Sequence, residues 1–148
     1  MPEKIKVALV GLGNCFSGLI QGIEFYSKNP SQKVTGIIHE NLRDYTIHDI
    51  EFVAGFDVGA NKVGKPINDA IYELPNMVNW IDKNDMPKSN GNVYESPALD
   101  GVGIWVENKV KPIESGKSES EIREEIIKIL KETGVEIIVS YLPVGSEK

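Results

Sequence analysis

Residues 5–20 constrain this chain more than any other stretch: Ile5-Lys-Val-Ala-Leu-Val-Gly11-Leu-Gly13-Asn14-Cys15-Phe16-Ser17-Gly18-Leu-Ile20. A short apolar, β-branched run passes into a glycine-rich turn and then into a helical stretch. Gly11 takes the tight turn at the end of the strand, and Gly13 has no side chain to keep the backbone away from a ligand. The helix that follows points its N–H groups and its positive dipole end at the same spot, which suits a pyrophosphate. The alternative is a tight turn in an α/β domain that binds nothing there. Phe16 stands where G-x-G-x-x-G has its third glycine. That substitution alters helix–strand packing more than the approach of an anion.

The chain has 148 residues, enough for one domain with a real core, and residues 1–148 are read as one unit. Its net charge is −6 with scattered basic residues, which argues against a nucleic-acid partner. No apolar run is long enough to cross a bilayer, and the N-terminus leads straight into a strand, so neither a membrane span nor a signal peptide is expected. One cysteine excludes an internal disulfide and fits a reducing cytoplasm. Cys15, His39 and His48 are too few and too dispersed for a structural zinc site, so no metal is expected.

The pattern predicts a strand over 5–10 and a helix over 14–27 with Leu19, Ile20, Ile23, Phe25 and Tyr26 on its apolar side. Gly18 and Gly22 weaken that helix and are expected to let it pack close to the sheet. Residues 28–49 read as a loop or inserted excursion, long for a compact domain. A second strand follows over 51–56. Pro66 opens a short helix through residue 73, and Val93 and Tyr94 mark a short strand. Much of 74–117 is polar and proline-punctuated and carries no assignment. The clearest helix begins at Ser118, with Glu121 at capping-box spacing. It buries Ile122, Ile126, Ile127, Ile129 and Leu130 and ends at Gly134. Residues 135–142 form a last strand. This order implies a parallel, doubly wound α/β sheet of Rossmann type, incomplete at its C-terminal end because such sheets have about six strands.

Asp57 directly follows the second strand. An acid there accepts both adenosine ribose hydroxyls and repels a 2′-phosphate, which favours NAD over NADP. It lies 44 residues beyond Gly13, against a usual spacing of about 20, because residues 28–49 intervene. Its alternative role is a cap or turn residue. Ser140-Tyr-Leu-Pro-Val-Gly-Ser146 lies at the carboxyl end of the last strand, the rim where open α/β sheets bind ligands, or is simply a strand-end turn. Cys15 at a helix N-terminus invites a nucleophile reading, but a small packing residue beneath a cofactor fits better. Asp100-Gly101-Val-Gly103 is either a second backbone-approach loop or a turn. His39 and His48 read as surface or packing imidazoles, and the charges over 117–132 as a solvated helix face.

Four segments in order carry a resemblance: Val-Gly-Leu-Gly-Asn-Cys-Phe-Ser-Gly at 10–18, Phe-Val-Ala-Gly-Phe-Asp at 52–57, Ser-Pro-Ala-Leu-Asp-Gly-Val-Gly at 96–103, and Val-Ser-Tyr-Leu-Pro-Val-Gly-Ser-Glu at 139–147. Together they resemble the N-terminal portion of the myo-inositol-1-phosphate synthase family in its archaeal and actinobacterial form. The likeness is loosest at 28–48 and 74–92. It implies NAD as cofactor and D-glucose 6-phosphate as substrate. The implied steps are oxidation at C5, aldol closure and reduction by the same NADH, which makes the family isomerases. It also implies a cytoplasmic homotetramer. Gly11, Gly13, Asn14 and Cys15 would line the pyrophosphate, Asp57 the ribose, and Ser140, Leu142, Pro143, Val144, Gly145 and Ser146 the nicotinamide side. In the family, the lysines, the phosphate-binding residues and much of the tetramer interface follow the motif at 139–147. No catalytic residue is therefore assigned, and the chain alone is expected to be inactive. Other readings are a fragment of another NAD-dependent dehydrogenase and a non-catalytic nucleotide-binding or interaction module.

Overall fold

The computed structural model describes residues 3–29, 36–99 and 108–142. The elements run β1 (Ile5–Val10), α1 (Asn14–Lys28), β2 (Ile50–Asp57), α2 (Ile67–Ala70), β3 (Asn92–Glu95), α3 (Glu119–Thr133) and β4 (Ile137–Ser140). The four strands form one sheet in the order β3-β2-β1-β4, and every pairing is parallel. All strand ends that follow the chain direction therefore share one rim. Gly11, Asp57 and Ser140 lie on it.

Alternation along β1 sorts the core into two layers. Val7 and Leu9 pack on one face with Phe16 and Ile20 of α1, Ile67 and Ala70 of α2, and Ile71 and Val93. Ala8 and Val10 face the other way, toward Ile126, Ile129 and Leu130 of α3. Phe52 packs with the first layer, whereas Ala54 and Phe56 pack with the second, although all three share sequence parity. A β-bulge explains the switch. Val7 pairs with Phe52 and Ala8 with Ala54, so Val53 is an extra residue that turns the rest of β2 over.

The helix termini follow local chemistry. Ser118 and Glu121 form the reciprocal capping box expected of α3, and Gly134 ends the helix at φ 66°. Thr46 and Asp49 form a second capping box, which opens a single 3-10 turn at Ile47–Asp49. The described part of the excursion, 36–49, is thus a loop with a tight Leu42–Tyr45 reversal before that turn.

Several expectations are corrected. Ile127 points outward at 46% exposure, because Ile126, Ile129 and Leu130 lie on the arc that packs against the sheet, with Ile122 also buried. In α1 the buried face is Phe16, Ser17, Ile20 and Gln21, while Leu19 and Phe25 are exposed. Gly18 and Gly22 do not serve the helix–sheet contact: Gly18 faces the Trp80 ring and Gly22 faces open space. Those residues instead border an apolar groove of about 590 Å³ on the outer side of α1. The helix after Pro66 is a single turn followed by irregular backbone to Glu73. The last strand is shorter than expected at both ends, Ile137–Ser140, with Tyr141 N–H still bonded to the Val10 carbonyl.

Two predictions follow from these contacts. A Cβ at Gly91 would lie 2.6 Å from the Val53 carbonyl carbon and 2.7 Å from the Phe52 oxygen, both backbone atoms at the bulge. Gly91→Ala should therefore lower stability by about 1–3 kcal/mol in urea denaturation. In each capping box the hydrogen bonds lower the carboxyl pKa: those from the Thr46 amide and hydroxyl at Asp49, and those from the Ser118 hydroxyl and amide at Glu121. A carboxyl depressed by folding contributes stability above its unfolded pKa and loses it as pH falls through the folded value. Carboxyl NMR titration should thus give Asp49 and Glu121 midpoints below those of the unfolded chain; midpoints at or above them would contradict the capping geometry.

Candidate functional site

The turn between β1 and α1 has backbone geometry that only part of its sequence dictates. Gly11 sits at φ +80°, its N–H donates to the Phe56 carbonyl at 2.9 Å, and a Cβ on it would come within 2.8 Å of Leu142 Cδ2. Gly13 is the N-cap of α1 and donates its N–H to the Gly11 carbonyl at 2.8 Å. No side chain caps α1 and no acid lies in its first turn. The first turn of a helix has amides without intrahelical acceptors, here those of Asn14, Cys15 and Phe16. Among the described residues, a Cβ built on Gly13 would meet nothing within 4 Å, so the space beside the helix start is open there. The two long helices therefore differ: α3 closes its N-terminus with Ser118 and Glu121, and α1 leaves its own exposed.

The middle residue of the turn, Leu12, is held through both of its peptides. Leu12 is fully buried, and its N–H donates to Asp57 Oδ2 at 2.8 Å. Its carbonyl accepts from Lys62 Nζ at 2.7 Å and from Asn76 Nδ2 at 2.9 Å. Lys62 Nζ also lies 3.3 Å from Asn76 Oδ1 and 3.7 Å from Asp57 Oδ2. Asp57 Oδ1 accepts the Gly59 N–H at 2.8 Å. Burial pushes the Lys62 ammonium below its ordinary pKa, and the charge of Asp57 and its hydrogen bond pull it back up. Asp57 thus stands at the end of β2 beside the turn, with each carboxylate oxygen bonded to one backbone amide.

The rim of β4 meets the same turn. Ser140 pairs with Val10, and Leu142 reaches over Gly11. The Tyr141 ring packs 4.4 Å from that of Phe16. Phe16 is fully buried, so the residue replacing the third glycine is a core anchor between α1 and the rim. Asn14 and Cys15 are both exposed. The Asn14 side chain is engaged, accepting the Met77 N–H at 2.8 Å. Gly11, Gly13, Asn14, Cys15, Asp57, Ser140 and Leu142 are thus gathered around one rim. Pro143, Val144, Gly145 and Ser146, with the 100–103 loop, lie outside the described residues.

Sequence reasoning gives Lys62, Asn76 and Gln21 no role in the site. Gln21 is fully buried; its amide donates to Ser17 Oγ and the Val78 carbonyl, and accepts the Trp80 and Ile81 N–H groups. It fastens the irregular 76–81 segment to α1, and Asn76 enters the site from that segment. A lysine five residues after an acid, or an asparagine in a polar loop, carries no pattern by itself. Their role arises where β2 and the loop meet.

No protein-family model matches the sequence. Inositol-3-phosphate synthases of Mycolicibacterium smegmatis and Mycobacterium tuberculosis are each 39% identical over 146 residues, covering 98% of this chain and 38% of theirs. The inositol-3-phosphate synthase of Corynebacterium glutamicum is 40% identical over 150 residues, again 38% of its length. Among solved structures, that of Ari2 superposes with a TM-score of 0.73 at 27% identity, over 97% of this chain and 40% of that one. A myo-inositol-1-phosphate synthase-related protein from Thermotoga maritima shares the fold, with a TM-score of 0.69 at 20% identity over 94% of this chain and 34% of that one. The chain spans somewhat more than a third of the length of these curated relatives and is homologous to that share of inositol-3-phosphate synthases.

Proposed function

We propose that residues 1–148 are the NAD-binding portion of an inositol-3-phosphate synthase, built as the first part of a doubly wound dinucleotide-binding sheet. The observation that carries this reading is the uncapped N-terminus of α1, opening beside Asp57 in a chain homologous to such synthases. The residues present fit the cofactor. Open space in front of Gly13 and the first-turn amides suits a pyrophosphate. Asp57 Oδ1 accepts the Gly59 amide and retains a lone pair for a ribose hydroxyl, and the carboxylate's charge disfavours a 2′-phosphate. Ser140 and Leu142–Ser146 would border the nicotinamide end.

In the complete enzyme, NAD supplies a hydride acceptor and then returns the hydride, so that isomerisation of D-glucose 6-phosphate leaves net redox unchanged. This chain's part is to bind and orient the cofactor. Enolisation and aldol closure need a base and cations near developing alkoxides. The buried lysine of this site, Lys62, is spent on the Leu12 carbonyl and Asp57. Those groups come from the remainder of the family's length or from a complementary chain. Ile137 and Ile138 of β4, at 46% and 54% exposure, suit docking of such a partner or of further copies in a homo-oligomer.

Calorimetric titration should give saturable NAD binding, with NADP weaker by about tenfold or more and the gap narrowed by Asp57→Ala. The chain alone should not turn over glucose 6-phosphate, and the titration coupled to light scattering should show weak cofactor binding or self-association. Absence of NAD binding would overturn the reading. Substrate-dependent NADH accumulation would point instead to a dehydrogenase of another class.

A further inference from the structure

Resting on the NAD-site reading above, we propose that Lys62 and Asn76 are positioning residues that lock the orientation of the Leu12–Gly13 peptide, with Asp57 holding the peptide before it, so that the turn keeps the Leu12 carbonyl away from the pyrophosphate. The peptide is planar and trans, so the Leu12 carbonyl and the Gly13 N–H point in opposite directions. Lys62 Nζ and Asn76 Nδ2, at 2.7 and 2.9 Å, draw the carbonyl inward. The Gly13 N–H is thereby turned the other way, where it closes on the Gly11 carbonyl. A flipped peptide would aim the negative end of a carbonyl dipole at the bound anion.

Lys62 has a second effect through charge. Asp57 sits beneath the anion site, and its carboxylate alone would repel a pyrophosphate. The ammonium 3.7 Å from Oδ2, with side chains 6% and 10% exposed, offsets that charge where solvent screens it little. Each acceptor of the ammonium is therefore part of the loop or of its support: the Leu12 carbonyl, Asn76 Oδ1 and Asp57 Oδ2. Asn76 is held in turn by a further bond, from its Nδ2 to the Ile71 carbonyl at 3.0 Å. Neither Lys62 nor Asn76 needs to touch the cofactor to govern what the turn shows it.

The test is NAD titration into the parent chain and into Lys62→Met, Lys62→Arg and Asn76→Leu, combined with 15N–1H correlation spectra and thermal unfolding. Lys62→Met should raise the NAD Kd about tenfold or more, since it removes a charged hydrogen bond to the turn and leaves Asp57 unbalanced. Lys62→Arg should recover part of that loss. The Leu12 and Gly13 amide resonances should move in Lys62→Met and Asn76→Leu, while that of Glu121 in the distant α3 cap stays in place. Parent-like NAD affinity in a folded Lys62→Met overturns the proposal. Should that variant not fold, Asn76→Leu decides: an unchanged Kd with unmoved Leu12 and Gly13 resonances overturns it. If the parent binds no NAD, the site reading fails, and the positioning role fails with it; the free-protein spectra still report whether the clamp exists.

Discussion

The hydrogen bond from the Leu12 amide to Asp57 ties the first turn of the chain to the end of the second strand, and the rim depends on it. The sheet alone brings β1 and β2 side by side. It does not say how the backbone beyond Val10 will run. A carboxylate at the end of β2 settles that, because it offers one oxygen to Leu12 and the other to Gly59 and so fixes both departing segments at once. The ammonium of Lys62 makes this burial tolerable, since an unpaired carboxylate in that position would cost several kcal/mol of desolvation, roughly the penalty known for isolated buried ions. The turn, the acid and the lysine are thus one structure assembled from three parts of the chain.

The α-helices show how the same backbone physics is put to two uses. Every helix begins with amides that lack acceptors. In α3 the chain supplies them from its own sequence, with Ser118 and Glu121. In α1 it supplies a glycine with no side chain, no acid in the first turn, and open space in front. An end left this way in a buried position would be unfavourable. At the sheet rim it is a favourable site for an anion.

Local patterns made much of the architecture legible. The β-branched runs marked three strands within one or two residues, and the Ser118–Glu121 spacing marked the start of α3. The turn after β1 was readable because glycine spacing speaks directly about backbone geometry. What escaped the sequence has physical reasons. The bulge at Val53 carries no local signature, because Val53 differs in nothing from a regular strand residue; only the pairing register reveals it. The outward face of α1 was misread because Leu19 and Phe25 are apolar, yet Ser17 and Gln21 took the inner positions through hydrogen bonds that no hydrophobic period records. Lys62 and Asn76 are contributed to the site by long-range contacts. Asp57 is the last residue of β2, and its bonds to Leu12 and Gly59 come from the packing of the turn.

The central claim is that the turn at Gly11–Gly13, with the first turn of α1, receives a dinucleotide. Mapping amide chemical-shift changes in the 15N-labelled chain during NAD addition tests it most directly. The account predicts that the changes centre on Gly11, Leu12, Gly13, Asn14 and Cys15 and extend to Gly59 and the Ser140–Leu142 rim. Changes centred instead on the apolar groove of Leu19, Phe25 and Trp80, or on α3, would contradict it.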